Sequence, residues 1–290
     1  MKIGITFPQT EIGTDPAAIR EFVQAVEAMS YDHLLIYDHV LGADTTKRPD
    51  FKGAYHWKHM FHEPFVLFGY LAAITTRIEL MTGVLILSQR QTALVAKQAA
   101  EVDVLSHGRL RLGVGTGWNT IEYEALGENF RDRGKRSEEQ IAVMRELWAK
   151  PSVTFKGRWH TIEAAGLNPL PVQRPIPIWL GGLAEAVLER AGRLAEGWLP
   201  PGLDPTKPRM REMVARVRES AVTAGRDPKD VGIEGRVALR NASSPEECAE
   251  RARQWQALAV SHVDINTMDC GFTRVGQHLQ AAERFITALR

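Results

Sequence analysis

Four short stretches carry residue types suited to chemistry, and each lies in or just after an aliphatic run. Asp38 and His39 stand side by side after Leu34-Leu35-Ile36-Tyr37. An acid beside an imidazole can hold a polar ring and move a proton near neutral pH, and the same dipeptide also serves as a helix cap next to a surface histidine. Thr82-Gly83-Val84 falls inside a buried-type run from Glu79 to Ser88. A glycine there marks a bulge, tight packing or the close approach of another molecule to the backbone. Gly113, Gly115 and Gly117 alternate ahead of Trp118-Asn119, a pattern that either lets amides meet a ligand unhindered or makes a plain sharp turn. Gly181-Gly182 closes the run Ile176-Pro177-Ile178-Trp179-Leu180 and opens a helical pattern. Amides at such a helix start suit a phosphate, although an ordinary strand-to-helix turn reads much the same.

Other constellations point away from familiar chemistries. His56, His59 and His62 recur every third residue without partnering acids or thiols, so no metal site is expected. No nucleophile elbow of the G-x-S-x-G type and no Walker loop occurs. Arg131, Arg133, Lys135 and Arg136 read as a solvated helix entrance that is also placed to meet an anionic cofactor tail. Trp57, Phe61 and Trp159 suit an apolar or aromatic substrate pocket, as they suit core packing or a subunit interface.

The elements that must position these residues alternate from end to end. β-branched or aliphatic runs at 2–7, 33–37, 78–86, 109–114, 176–180, 196–199, 231–239 and 261–266 are separated by helical patterns at 15–29, 62–75, 91–105, 134–149, 183–194, 205–224, 244–258 and 275–289. Eight βα units predict a (β/α)₈ TIM barrel, whose reactive face is built where the strands end. A doubly wound sheet competes, but its dinucleotide fingerprint should follow the first strand, where Pro8-Gln9-Thr10-Glu11 stands. Asp15-Pro16 and Ser244-Pro245 mark helix starts, the second with Glu247 placed for a capping box. Two stretches break the rhythm: an insertion at about 151–175, with a hairpin at 153–160 and a proline-rich return, and a candidate lid at about 39–61. Residues 1–290 are expected to form a single domain.

Composition narrows the function classes. With 44% hydrophobic and 24% charged residues the 290-residue chain has a globular balance, and 36 basic against 35 acidic residues leave a formal charge of +1. That charge gives no broad field for polyanions, so a small molecule, not nucleic acid, is the expected partner. Cys248 and Cys270 form no C-x-x-C pair or disulfide framework, which fits a reducing cytoplasm. No export signal is read at the N-terminus and no apolar run approaches a membrane span, so no membrane partner is expected.

Over nearly its whole length the chain resembles the luciferase-like monooxygenase superfamily, and its deazaflavin-dependent branch in particular. The resemblance rests on Tyr37-Asp38-His39-Val40, the run from Thr82-Gly83-Val84 to Ala96-Lys97-Gln98, and the stretch from Leu105-Ser106-His107-Gly108-Arg109 to Gly115-Thr116-Gly117-Trp118-Asn119. Glu122, Leu126-Gly127, Arg133-Gly134-Lys135-Arg136, Pro175 to Gly182, and Glu196-Gly197-Trp198-Leu199-Pro200 continue it in order.

The resemblance implies a luciferase-like barrel whose rim binds a flavin-like tricycle, with Thr82, Gly83 and Val84 against the ring and a cis peptide at Gly83-Val84. Asp38-His39 is similar to the pair that deazaflavin enzymes place against coenzyme and substrate, whereas flavin-using relatives more often carry Glu-His. Coenzyme F420 is therefore the first choice of cofactor and FMN the alternative. By the same analogy Gly181 and Gly182 hold the phosphate, Gly115 and Gly117 flank the cofactor, and Asp38 orients it. Some relatives have a glutamate where this chain has Trp118, which leaves His39 as the acid/base candidate and makes Trp118, with Trp57, a wall of the substrate pocket. The expected activity is an F420-dependent oxidoreductase moving a hydride to or from a small organic substrate. An FMN-dependent two-component monooxygenase served by a separate reductase, and a non-catalytic cofactor-binding barrel, are the alternatives. A homodimer is the expected assembly.

Overall fold

The computed structural model describes residues 1–290. Its strands are β1 (Lys2–Thr6), β2 (His33–Ile36), β3 (Glu79–Thr82), β4 (Leu85–Ile86), β5 (Leu110–Gly115), β6 (Val153–Lys156), β7 (Thr161–Ala165), β8 (Ile178–Gly181), β9 (Gly197–Leu199), β10 (Gly232–Ala238) and β11 (His262–Asn266). The helices are α1 (Pro16–Ala28), α2 (Pro64–Ile74), α3 (Thr92–Leu105), α4 (Thr120–Ala125), α5 (Arg133–Ala149), α6 (Glu185–Leu194), α7 (Pro208–Thr223), α8 (Pro245–Gln256) and α9 (Val275–Leu289). No helix is long and apolar enough to cross a membrane.

Eight strand positions close in the order β1-β2-β3-β5-β8-β9-β10-β11 and back to β1, all parallel, with β4 continuing β3 beside β5. This is the expected (β/α)₈ barrel. The run expected as one strand over 78–86 is two, because the chain bends at Gly83-Val84, whose peptide is cis. The insertion is the antiparallel hairpin β6–β7, a separate two-stranded sheet outside the barrel. A short helix, α4, was not signalled by any long apolar period. Between β2 and α2 the candidate lid holds no regular element.

Period-two alternation sorts each strand into a helix-facing and a barrel-facing set. Register puts Ile5, Leu34, Leu80 and Leu110 at one level, all buried among the helices. The interior holds few apolar groups: Leu35, Met81, Trp179 and Leu199 form a small cluster of their own. Charges fill much of the rest. Arg111 Nη1 donates to Glu234 Oε2 at 2.9 Å and lies over the Trp179 ring, while His33 Nε2 sits 2.8 Å from Glu234 Oε1. Burial opposes the charge on Glu234, but His33 and Arg111 more than offset it and hold its carboxyl well below the usual range. Gly4 is glycine because the His33 ring occupies the place of a side chain there, 2.0 Å from where a Cβ would stand.

His262 sits at the edge of this cluster, and burial, then the Arg111 and His33 charges, pull its pKa down to about 2. The folded protein therefore keeps His262 neutral while the unfolded chain takes up a proton below its ordinary pKa of about 6.5. Stability from this group is full above that pH and is lost as pH falls, by about 2 kcal/mol between pH 7 and pH 5. Urea unfolding at those two pH values should show a shallower acid loss for His262→Gln than for the parent, and equal losses would remove this account.

Candidate active site

The strand ends surround a cavity of about 540 Å³ at the C-terminal face of the barrel. Tyr37, Asp38, His39, Gly83, Val84, Gly115, Gly117, Trp118, Gly181 and Gly182 all line it. Stretches nearly 150 residues apart in sequence are thus brought to one place. Tyr55 reaches it from the irregular 39–61 segment.

His39 is held from several sides. Its Nδ1 lies 3.1 Å from Oε1 of Glu122 on α4, and its ring packs against Tyr55, Phe61 and Trp118 at centroid distances of 5.2, 4.8 and 5.6 Å. Glu122 is buried and also accepts the Val40 N–H at 2.9 Å and the Gln89 amide at 3.3 Å. Burial disfavours its charge, yet hydrogen bonds led by the one from His39 hold the carboxyl below its ordinary value. A carboxylate at Nδ1 makes that nitrogen the donor and leaves Nε2 to the cavity. Sequence reasoning placed Glu122 only within a resemblance. Asn119-x-x-Glu122 looks like a helix start; Asn119 does cap the Ile121 N–H at 3.2 Å, while Glu122 turns inward to the histidine.

Asp38 lines the cavity, but its carboxylate is already engaged. Oδ1 accepts from Arg90 Nη2 at 2.8 Å and Oδ2 from the Ile86 N–H at 3.1 Å. Burial opposes the Arg90 charge, but Asp38, followed by Glu63, raises its pKa overall. This ion pair, which needs Arg90 from beyond β4, ties the end of β2 to the far half of the broken strand. The geometry makes Asp38 a residue that shapes the rim, a role no local pattern announced. Burial also pushes the Tyr37 phenol up, and the Tyr55 phenol up to about 12. The imidazole of His39 lines the same cavity beside these two phenols.

The glycines have a partner within the chain. A Cβ on Gly115 would lie 2.5 Å from Val84 Cγ2, and one on Gly181 would lie 2.6 Å from Val84 Cγ1. Both are glycine because Val84 fills the space between β5 and β8, whatever else approaches from above. Gly182, with φ of 138°, and Gly117, with φ of 64°, meet a backbone need that other residues rarely satisfy. Just after Gly182, the first turn of α6 has no side-chain cap, and Leu183 and Ala184 line the cavity. Unpaired amides and the positive end of the helix dipole therefore face this end of it.

Several expected site residues lie elsewhere. Thr82 is fully buried and donates to the Gly113 carbonyl at 2.6 Å, joining β3 to β5 below the cavity instead of lining it. Trp57 is 52% exposed and lines a smaller cavity of about 330 Å³ on the other side of His39. Trp159 is fixed to Asp132 by its indole N–H at 3.2 Å, in the hairpin region and away from the rim. His62 turns to the Gly13 carbonyl at 3.3 Å, while His56 and His59 pack on each other. Arg136 is not solvated as expected: it is buried, bonded to Glu128 and, at 2.6 Å, to the Ser88 carbonyl.

Comparison with known proteins adds independent observations. The family model described as luciferase-like monooxygenase matches residues 1–286. An uncharacterized protein of Mycobacterium tuberculosis is 36% identical over 225 residues, 76% of this chain and 77% of that one. An F420-dependent glucose-6-phosphate dehydrogenase of Mycolicibacterium gilvum is 30% identical over 222 residues, 73% of this chain and 66% of its own length. Among solved structures, an F420-dependent secondary alcohol dehydrogenase in complex with an F420-acetone adduct superposes with a TM-score of 0.81, at 19% identity over 100% of this chain and 99% of that one.

The Val84 contacts make a direct test. Gly115→Ala should destabilise the protein by about 1–3 kcal/mol through overpacking. Combined with Val84→Ala, the cost should fall below the sum of the two single changes, because the smaller side chain vacates the space. Additive losses in denaturant unfolding would show that Val84 is not what Gly115 accommodates.

Proposed function

The chain belongs to the luciferase-like monooxygenase family, and from that membership we propose that it is an F420-dependent oxidoreductase transferring a hydride between the deazaflavin and a small organic substrate. The observation that carries this reading is the convergence of uncapped α6 amides, the Val84 shelf and the His39–Glu122 pair on one cavity. The relatives named for F420 support the choice of coenzyme over FMN.

The residues present fit the coenzyme. The first-turn amides of α6, following Gly182, suit its phosphate, and an open volume of about 540 Å³ suits a tricyclic ring. Val84 offers an apolar shelf with its backbone flanked by Gly83. Bound there, the coenzyme supplies a two-electron hydride acceptor or donor. Nε2 of His39 would take the substrate's hydroxyl proton in the oxidising direction and return it in the reducing one. Glu122, hydrogen-bonded at Nδ1, fixes the ring's orientation and stabilises the imidazolium formed by that proton. Trp118, 44% exposed beside His39, forms an apolar wall for the substrate.

A homodimer fits α2, which is apolar on every side: Phe65, Phe68 and Leu71 are buried while Val66, between them, is 74% exposed. The free thiols of Cys248 and Cys270 fit a reducing cytoplasm.

Fluorescence titration of the purified protein with F420 and FMN, each oxidised and reduced, should show selective F420 binding. Selective FMN binding together with oxygen consumption would replace this reading with a reductase-served monooxygenase, and tight F420 binding without turnover across a substrate panel would leave a binding barrel. In an active preparation His39→Gln should lower kcat by about 10²–10⁴-fold with little change in F420 affinity. Glu122→Gln should shift the pH profile and lower kcat less. Unchanged turnover in His39→Gln would end its assignment as the acid/base group.

A further inference from the structure

One wall of the cavity carries cationic and amide donors that the reading above does not use. It is built by the end of β10 and the turn after it, three strand positions around the barrel from His39: Arg236, Arg240 and Asn241. Arg236 is largely buried, its Nε donating to Asp264 at 2.8 Å and its Nη1 to the Tyr37 hydroxyl at 3.3 Å, and its Nη2 has no partner within the protein. Asp264 accepts from Thr6 as well and does not line the cavity. Arg240 bonds Asp269 through Nη1 alone, so its Nε and Nη2 stay unpaired. The Asn241 amide makes no hydrogen bond within the chain, and both it and Arg240 face the cavity.

The acceptors are arranged differently. Asp38 and Glu122 are the two carboxylates that line this cavity, and each is saturated by Arg90 or by His39 and backbone amides. Donors therefore face the space unopposed at the β10 wall. A planar fork of guanidinium donors matches an oxyanion. The α6 amides lie across β9 from this wall, so a phosphate held there does not use it.

We infer that the β10 wall is an oxyanion subsite: the substrate carries a carboxylate or a phosphate, which Arg240, Nη2 of Arg236 and the Asn241 amide hold while the carbon that exchanges hydride lies toward His39. This rests on the oxidoreductase reading for its purpose, but the subsite itself is testable without coenzyme. Both oxyanions present the same acceptors to the wall, and separate probes tell them apart.

The experiment is calorimetric titration of the coenzyme-free protein at low ionic strength with inorganic phosphate and, separately, with malonate. It is run on the parent, on Arg240→Gln, and on Asn241→Asp. Neither side chain is buried and Asn241 has no partner to lose, so both variants should fold, as circular dichroism will verify. The parent should bind two equivalents of phosphate, one at α6 and one at the wall. Arg240→Gln should weaken the second about tenfold, as expected for one charge-assisted hydrogen bond, and Asn241→Asp, which adds a like charge, should abolish it. Malonate should show the wall site with the same response, and the tighter of the two probes identifies the preferred group. A single equivalent in the parent, or identical binding in all three proteins, would overturn the subsite. Loss of the second equivalent in a protein that fails to bind F420 would leave the subsite standing and remove the coenzyme assignment instead.

Discussion

The shape of the rim depends on one side chain, that of Val84, driven into the space between β5 and β8. Its two methyl groups stand where side chains of Gly115 and Gly181 would otherwise be. Three strands are locked together by this contact, because the residue that enters the gap also ends the regular pairing of β3 and begins that of β4. A packed core tolerates neither an unfilled gap nor an added methyl, so the wedge and its two glycines have to be kept as a set. The consequence for function is a floor whose position is fixed by core packing and not by a loop. Above it the Asp38–Arg90 pair and the Ile86 amide carry the same rigidity to the end of β2, and His39 follows immediately.

Below that floor the barrel gives up hydrophobic packing for a connected set of charges. Leu35, Met81, Trp179 and Leu199 are too few to fill the interior, and the remaining space is taken by Arg111, Glu234, His33, Asp264 and Arg236. Buried ion pairs of this kind gain little net stability over apolar substitutes, but removing one partner leaves an uncompensated charge. They are therefore better understood as fixing positions. Arg236 shows why that matters, since its Nε is committed to Asp264 inside the barrel while the residue also lines the cavity. The interior network thus holds a residue that also lines the rim.

The architecture was legible because barrel strands and their helices carry strong periodic signals, and Asp15 and Ser244 cap α1 and α8 as expected, although Glu247 reaches back to the Ser243 N–H and so does not close the capping box with Ser244. The rim positions Asp38, His39, Gly83, Gly115 and Gly181 were also legible, as breaks in those periods. What could not be read was partnership. A glycine in a strand announces that something comes close but not what, and at Gly115 and Gly181 it is Val84. Glu122 was masked by Asn119, whose capping pattern explains an acid three residues later without any histidine. Arg90, Arg236 and Arg240 stand singly in stretches with no motif, and their roles exist only because the barrel closes. Arg136 misled for the opposite reason: a run of like charges suggests a solvated face, and only the fold shows one of them inserted beneath Ser88.

The division of labour around the rim follows strand order. The features suited to the coenzyme come from β4, β5 and β8 with the start of α6, whereas the unpaired donors come from β10, on the far side of β9. Val84 couples the first group tightly, so a change at any of those positions strains the others. Arg240 and Asn241 are under no such constraint, since Arg240 has a single exposed carboxylate partner and Asn241 has none. The two sets of rim residues therefore share neither strands nor packing partners. His39 stands between them, held by Glu122 from α4 and adjoining Asp38, whose ties to Arg90 and the Ile86 N–H reach the first group.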